Sequence, residues 1–254
     1  MNRMVYVSFN GKYFNGTQKQ KEGITVQSLL EEKLSKVYNE QIKIHSASRL
    51  DKGVSAYAWA FNFWTDSTNI PTEKFKYVMN RVLPKYIHIV SCTDVKEDFD
   101  ARYSVKEKTY MYKINLGELN PLEDEFAWTP KFKGAKIHRI REVFDCFVGQ
   151  HDFSSFCTLI EPNQDCRRIV DSSRVTIEGK YLIIRVTAKS FLRHQIRFMV
   201  GSAYEVGLGR LAISDVLDAL DGIKPIVHKV KAPAEGLVLE STKYFDEEIL
   251  SAKE

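Results

Sequence analysis

The chain has no run of eighteen consecutive apolar residues among its 254, which argues against a membrane-spanning helix. It has no low-complexity stretch. With 44% hydrophobic and 12% aromatic residues, it is not a disordered chain. No apolar core follows a basic head at the start, where residues 1–10 read as a strand, so the expected compartment is the cytoplasm. Cysteine is scarce: Cys92, Cys146, Cys157 and Cys166 include no C-x-x-C pair, and no histidine completes a ligand spacing. A structural zinc site is therefore not expected, and the thiols read as buried or inert in a reducing compartment. Neither sign of charge dominates: the formal net is only +4. Residues 245–254 hold four acids and one lysine, so residues 1–244 carry +7. That permits a polyanionic partner and does not demonstrate one.

What is present is a regular alternation of strand and helix patterns. Residues 4–9 alternate apolar and polar side chains, as a half-buried strand does. Residues 25–38 carry Val26, Leu29, Leu30, Leu34 and Val37 at helical spacing. Residues 42–46 and 57–64 read as strands, the second with Tyr57, Trp59, Phe61 and Phe63 on one face. Pro71 suits a helix start, and the stripe Phe75, Val78, Met79, Val82 and Leu83 stops at Pro84. Strands follow at 87–93 and 108–116. Residues 118–133 lack periodicity and read as a connection between halves at 1–117 and 134–254. In the second half the pattern gives a helix from Ile137 to Phe147, a hairpin over 174–188, and a helix over 192–206. A short helix capped by Ser214 and a strand over 236–244 close it. The expected class is α+β, an antiparallel sheet with helices on one face.

The densest polar stretch is residues 48–55, SRLDKGVS, which joins two strands and sets the carboxylate of Asp51 between Arg49 and Lys52. By spacing alone it reads first as a tight surface loop, with Gly53 supplying a positive φ and the charges solvated. Other segments stand out: FNGTQKQ at 14–20 followed by TVQ at 25–27, FDARYS at 99–104 followed by KTYMY at 108–112, and GQHDFSSF at 149–156. FLRHQIRFMVG at 191–201 and APAEGL at 232–237 complete the set. Residue by residue, Tyr110 reads as a core aromatic beside Tyr112. Arg197 reads either as a surface cation or, beside Ile196 and Met199, as half of a part-buried ion pair. His151–Asp152 suits a loop hydrogen bond better than a catalytic dyad. Glu235, Lys229 and Lys231 read as loop charges.

Together, in this order over residues 14–237, the segments resemble the TruA-type pseudouridine synthase family. The resemblance implies two split β-α-β halves forming one continuous, mostly antiparallel sheet with a central cleft, and a homodimer acting on tRNA. It implies isomerisation of uridine to pseudouridine, most simply at positions 38–40 of the anticodon stem-loop, with no metal and no nucleotide cofactor. Asp51 takes the place of the carboxylate nucleophile, which attacks ribose or base or assists a glycal route. Arg197 is the cation that keeps it ionised. Tyr110 is the active-site tyrosine, better suited to stacking than to proton transfer because a free phenol has a pKa of about 10. Arg49 holds the flipped nucleotide out of its stack. Leu237 lines the base pocket, and Lys52, Lys229 and Lys231 are candidates for phosphate contact. Two positions depart from the bacterial form of the motif: Leu50 stands for threonine and Ser55 for histidine. The alternatives are the same chemistry on another tRNA position or on ribosomal RNA, or a tRNA-binding module without catalysis. A hydrolase of free nucleosides, which would release uracil, is a further rival.

Overall fold

The computed structural model describes residues 1–159, 161 and 163–249. Residues 250–254, the end of the acidic tail, lie outside the described residues. In chain order the elements are β1 (Asn2–Phe9), α1 (Val26–Tyr38), β2 (His45–Ser46), β3 (Ser55–Trp64), α2 (Thr72–Val82) and β4 (Ile87–Val95). They continue with β5 (Val105–Asn115), α3 (Ile137–Cys146), β6 (Gly149–Asp152), β7 (Arg167–Val170), β8 (Ser172–Glu178) and β9 (Tyr181–Ala188). α4 (Gln195–Gly207), α5 (Ile213–Leu220) and β10 (Leu237–Tyr244) complete the order, with single 3-10 turns at Gly11–Tyr13, Ser154–Phe156 and Asp246–Glu248. The class is α+β, as the sequence pattern implies. Among the described residues no helix is long and apolar enough to cross a membrane.

The chain forms two compact units. The first comprises residues 1–107 and the chain from Leu239 onward; the second comprises residues 108–238. Sequence order alone groups 134–254 together. The end of β10 joins the first unit because its side chains bond there: Thr242 Oγ1 donates to Ala58 O, Tyr6 Oη to Thr242 O, and Tyr244 Oη to Ala101 O.

In the first unit the strand order is β4-β1-β3-β10, and the β1–β3 and β1–β4 ladders are antiparallel. Helix α1 begins at a reciprocal cap. Ser28 N donates to Thr25 Oγ1 and Thr25 N to Ser28 Oγ, which satisfies donors a helix start leaves open. Helix α2 ends at Leu83, extended as the residue before a proline must be. Both helices cover one face of β3, where Phe63 meets Tyr38 of α1 and Phe75 of α2 at 5.7 Å. The opposite face is also buried: Met4 and Ala60 pack with Phe99, Ala101, Val105 and Tyr244. Tyr57, expected on the Trp59 face, stays 58% exposed at the strand's start.

Residues 42–44, expected in a strand, form none, and β2 is only His45–Ser46. The reason is competition for backbone donors. Ile42 N donates to Ser35 Oγ and Ile44 N to Glu31 Oε1, so α1 side chains take the bonds a ladder would need.

In the second unit β8, β9 and β5 pair antiparallel in that order. A second ribbon, β6–β7, carries no alternation in sequence and was not expected. It leads into a core of Phe144, Phe147, Phe153 and Phe156, each essentially buried. Helix α4 starts at Gln195 rather than Leu192, because His194 is left-handed with φ +63°. Helix α5 starts at Ile213 rather than after Ser214; its cap is Ala212, whose N–H donates to the Asp215 carboxylate.

The connection over 118–133 has no helix or strand, yet it is tightly held. Asp124 is its hub. The buried carboxylate accepts from Asn115 Nδ2 at 2.8 Å, Asn120 N at 2.7 Å and Tyr181 Oη at 2.6 Å, and pairs with Lys180. Burial alone would raise its pKa; these donors outweigh that and hold it below the usual carboxylate range. Two of the four thiols are buried: Cys157 and Cys166 lie in contact, 3.8 Å between sulfurs, and burial pushes Cys157 up to about 12. Cys92 and Cys146 are only half-buried.

Candidate active site

In the first unit, the loop between β2 and β3 is pinned on both sides of Asp51. Leu50, 7% exposed, is gripped by Thr17: its N–H donates to Thr17 Oγ1 at 2.8 Å, and its carbonyl accepts from Thr17 N at 3.1 Å. Asp51 O then accepts from Val54 N, closing a turn whose third residue, Gly53, has φ +85°. A type II turn requires that sign at that position, which glycine takes at no steric cost. Beyond the turn Val54 is buried, and Ser55 Oγ accepts from Gly11 N at 2.9 Å. Before it, the buried Trp59 donates Nε1–H to Ser48 O at 2.8 Å. The two departures from the family pattern thus have structural roles: Leu50 is an apolar anchor, and Ser55 a buried acceptor.

The result is a carboxylate held half-buried at the tip of a rigid turn, between the exposed Arg49 and Lys52. Thr17 is itself held, because Gly16 O and Thr17 O accept the first N–H groups of α1, from Val26 and Gln27. Its motif was visible in the sequence, but its role was not, because the partner lies over thirty residues away at Leu50. Thr17→Val keeps the shape and removes the hydroxyl, leaving the buried Leu50 N–H without that acceptor. It should cost about 1–3 kcal/mol in denaturant unfolding, and Thr17→Ser should restore most of it. An unchanged Thr17→Val midpoint would refute the clamp.

The second unit holds Tyr110, Arg197 and Leu237. Arg197, on the first turn of α4, is partly buried and does not project into solvent. Its Nε–H donates to Ala232 O at 2.7 Å, and its carbonyl accepts from Ala232 N at 3.0 Å. The strap 230–236 therefore lies along α4. Gly201, one turn on, permits this approach: a Cβ there would sit 2.0 Å from Val230 O. Tyr112 holds the strap's next residue through Oη–H to Pro233 O at 2.8 Å, and Lys113 N donates to Gly236 O. Leu237, 6% exposed, follows directly. Burial pushes the Tyr112 hydroxyl well above its ordinary pKa; nearby Glu235 adds to this and Arg197 opposes it. The sequence alone marks Tyr112 only as a neighbour of Tyr110; two residues apart on β5, the two share a face. Tyr110 is 7% exposed, and its ring meets Phe191 edge-on at 5.3 Å and 88°.

Other candidates fall outside this arrangement. His151 Nε2 bonds Val148 O, and Asp152 Oδ1 accepts from Ser154 N, so they form local loop bonds and no dyad. Lys229 Nζ donates to Ser154 O, which ties the strap's approach to the aromatic core. Glu235 and Lys231 are exposed. Among the described residues no group of three or more His, Cys, Asp or Glu side chains converges as metal ligands would.

Against known proteins, a family model described as tRNA pseudouridine synthase matches residues 5–104 and 144–245. The chain is 34% identical over 239 residues to tRNA pseudouridine synthase A of Thermoanaerobacter sp. (strain X514), covering 94% of this chain and 97% of that one. It is 36% identical over 242 residues to tRNA pseudouridine synthase A 2 of Clostridium perfringens, with the same coverage. It is 34% identical over 248 residues to tRNA pseudouridine synthase A of Staphylococcus aureus (strain MRSA252), covering 97% and 93%.

Proposed function

The chain belongs to the tRNA pseudouridine synthase family, whose members isomerise uridine to pseudouridine, and from that premise we propose that it modifies the anticodon stem-loop of tRNA, at positions 38–40, through Asp51 as nucleophile. The clamp on the Asp51 loop is the observation that carries this reading. A nucleophile must meet a carbon at a fixed distance and angle, and only a loop held on both sides keeps a carboxylate in place against thermal motion.

The chemistry needs no net redox change. The Asp51 carboxylate bonds to ribose C1′ or to the base ring, and the C1′–N1 bond breaks. The uracil turns, C5 bonds to C1′ as the Asp51–carbon bond breaks and the carboxylate departs, and the hydrogen on C5 leaves to water while N1 gains a proton. The assigned roles are as follows. Arg197 is assigned as the cation of the site, its guanidinium oriented by the Nε–H bond to Ala232 O. Tyr110 stacks on the extruded uracil, and Leu237 excludes water from the base. Arg49 fills the place the uridine vacates, and Lys52 contacts phosphate. The location is the cytoplasm, where the tRNA is.

The test is tritium release from bulk tRNA labelled at C5 of uridine, followed by mapping of the product. Release with pseudouridine at 38–40 supports the reading. Release from ribosomal RNA alone would retain the chemistry and overturn the target. Free uracil would indicate a hydrolase. The same reading gives a homodimer: light scattering should report about twice 29.3 kDa, and a monomer at micromolar concentration would overturn that part.

A further inference from the structure

A feature of the first unit lies outside this reaction scheme. Tyr13 and Tyr86 stack face to face, with ring centroids 4.5 Å apart and 13° between planes. Tyr86 covers one face of Tyr13, yet Tyr13 is still 51% exposed. A solvent-exposed aromatic is usually free to rotate, whereas this one is fixed. Its 3-10 turn is capped by Asn10 Oδ1, which accepts from Lys12 N, and Phe14 N bonds Gly11 O. Tyr86 is fixed by its own carbonyl, which accepts from Asn10 N at 2.9 Å. Its ring rests edge-on against Phe14 at 5.5 Å.

The stack is mechanically continuous with the Asp51 loop. Phe14 meets Phe9, and Phe9 meets Trp59, whose indole N–H holds Ser48 O. Gly11, in the same 3-10 turn as Tyr13, holds Ser55 on the loop's other side. The sequence flanking the two tyrosines is cationic. Residues 10–21 and 81–88 contain Lys12, Lys19, Lys21, Arg81 and Lys85, and no acid. All five are exposed, and Lys19 pairs with Glu31. An apolar ring alone would suit many partners, but one set among cations suits a polyanion with flat apolar faces, which is RNA.

We propose that the Tyr13–Tyr86 stack is a docking platform for an unpaired nucleobase of the RNA substrate, distinct from the uridine that reacts. The inference rests on the RNA-modifying function proposed above and adds a second point of contact to it. The platform is preorganised, so stacking a base on Tyr13 orders no new protein side chain. It shares a chain of ring contacts with the Asp51 loop, so it adds a fixed second contact for the RNA beside that loop.

The test compares Tyr13→Ala, Tyr13→Leu and Tyr13→Trp for tritium release from bulk tRNA, and for tRNA affinity in an Asp51→Asn background. Loss of one base–aromatic stack weakens binding by about five- to 150-fold, so Ala and Leu should raise Kd and KM by that order and leave kcat at saturating tRNA unchanged. Trp should bind as wild type does. The salt dependence of Kd should keep its slope, since no phosphate contact is removed. Unchanged affinity for Tyr13→Ala overturns the proposal, as does full rescue by Leu, which would mean simple apolar contact. A fall in kcat at constant KM also overturns it, because the ring would then serve only to brace the loop. If wild-type protein neither binds nor turns over tRNA, the function itself is wrong; if it does both and Tyr13→Ala matches it, only the platform is.

Discussion

Asp51→Asn should reduce tritium release from C5-labelled tRNA by more than about 10³-fold, as loss of a nucleophile does, with tRNA affinity close to wild type. The substitution is nearly isosteric, and the turn has backbone and apolar anchors of its own. It is closed by the backbone of Asp51 to Val54 N and anchored by buried Leu50 and Val54. The loop should therefore keep its shape, and the loss should fall on the chemical step. A neutral amide lacks the negative charge that attacks carbon and that departs again as a stable anion. Asp51→Ala should behave the same way, which separates nucleophilicity from any hydrogen bond the amide could still make. Wild-type turnover in either variant would place the nucleophile elsewhere. Weakened tRNA binding in step with activity would instead make Asp51 a binding residue.

Gly201→Ala should destabilise the protein by roughly 1–3 kcal/mol, the usual cost of overpacking a tight interior. Two effects compete at this position. Alanine in a helix interior gains about 1 kcal/mol over glycine in propensity. Against it, the new Cβ would lie 2.0 Å from Val230 O and 2.7 Å from Val230 C. Both are backbone atoms and cannot turn aside as a flexible side-chain end can, so the clash outweighs the propensity. The strap must move off α4, which strains the paired Arg197–Ala232 bonds and the Tyr112 bond to Pro233 O. Because Arg197 is oriented by that strap, kcat should fall alongside the melting temperature. A rise in melting temperature would mean the strap yields freely, and would remove the reason for glycine at this position. Lost stability with intact kcat would detach the strap from the orientation of Arg197.

Much of the architecture was legible in the residues. The order strand, helix, two strands, helix, two strands over residues 2–115 follows from alternation, helical spacing and the Pro84 stop. Each of those elements satisfies most of its own pattern locally. The elements that were misplaced share a physical cause. At 42–44, side chains of α1 captured the backbone donors. At α4 and α5 the start was set by His194 in a left-handed conformation and by the carboxylate of Asp215 bonding Ala212 N–H. The β6–β7 ribbon is four residues a side and too short to show a period. The connection at 118–133 lacks periodicity because it is ordered by one polar centre, Asp124, and not by an apolar face.

The site divides the same way. The sequence by itself determined the family and the class of reaction, and it puts Asp51 forward as the proposed nucleophile, because reactivity resides in the kinds of side chain and in motifs whose spacing is local. Only the tertiary structure decided how those motifs are held. Thr17 grips Leu50, Gly11 bonds Ser55, Gly201 admits Val230, and Tyr112 bonds Pro233 across 121 residues. Each of these is a hydrogen bond or steric fit between distant segments, and its energy depends on distances of a few ångströms that no linear pattern encodes.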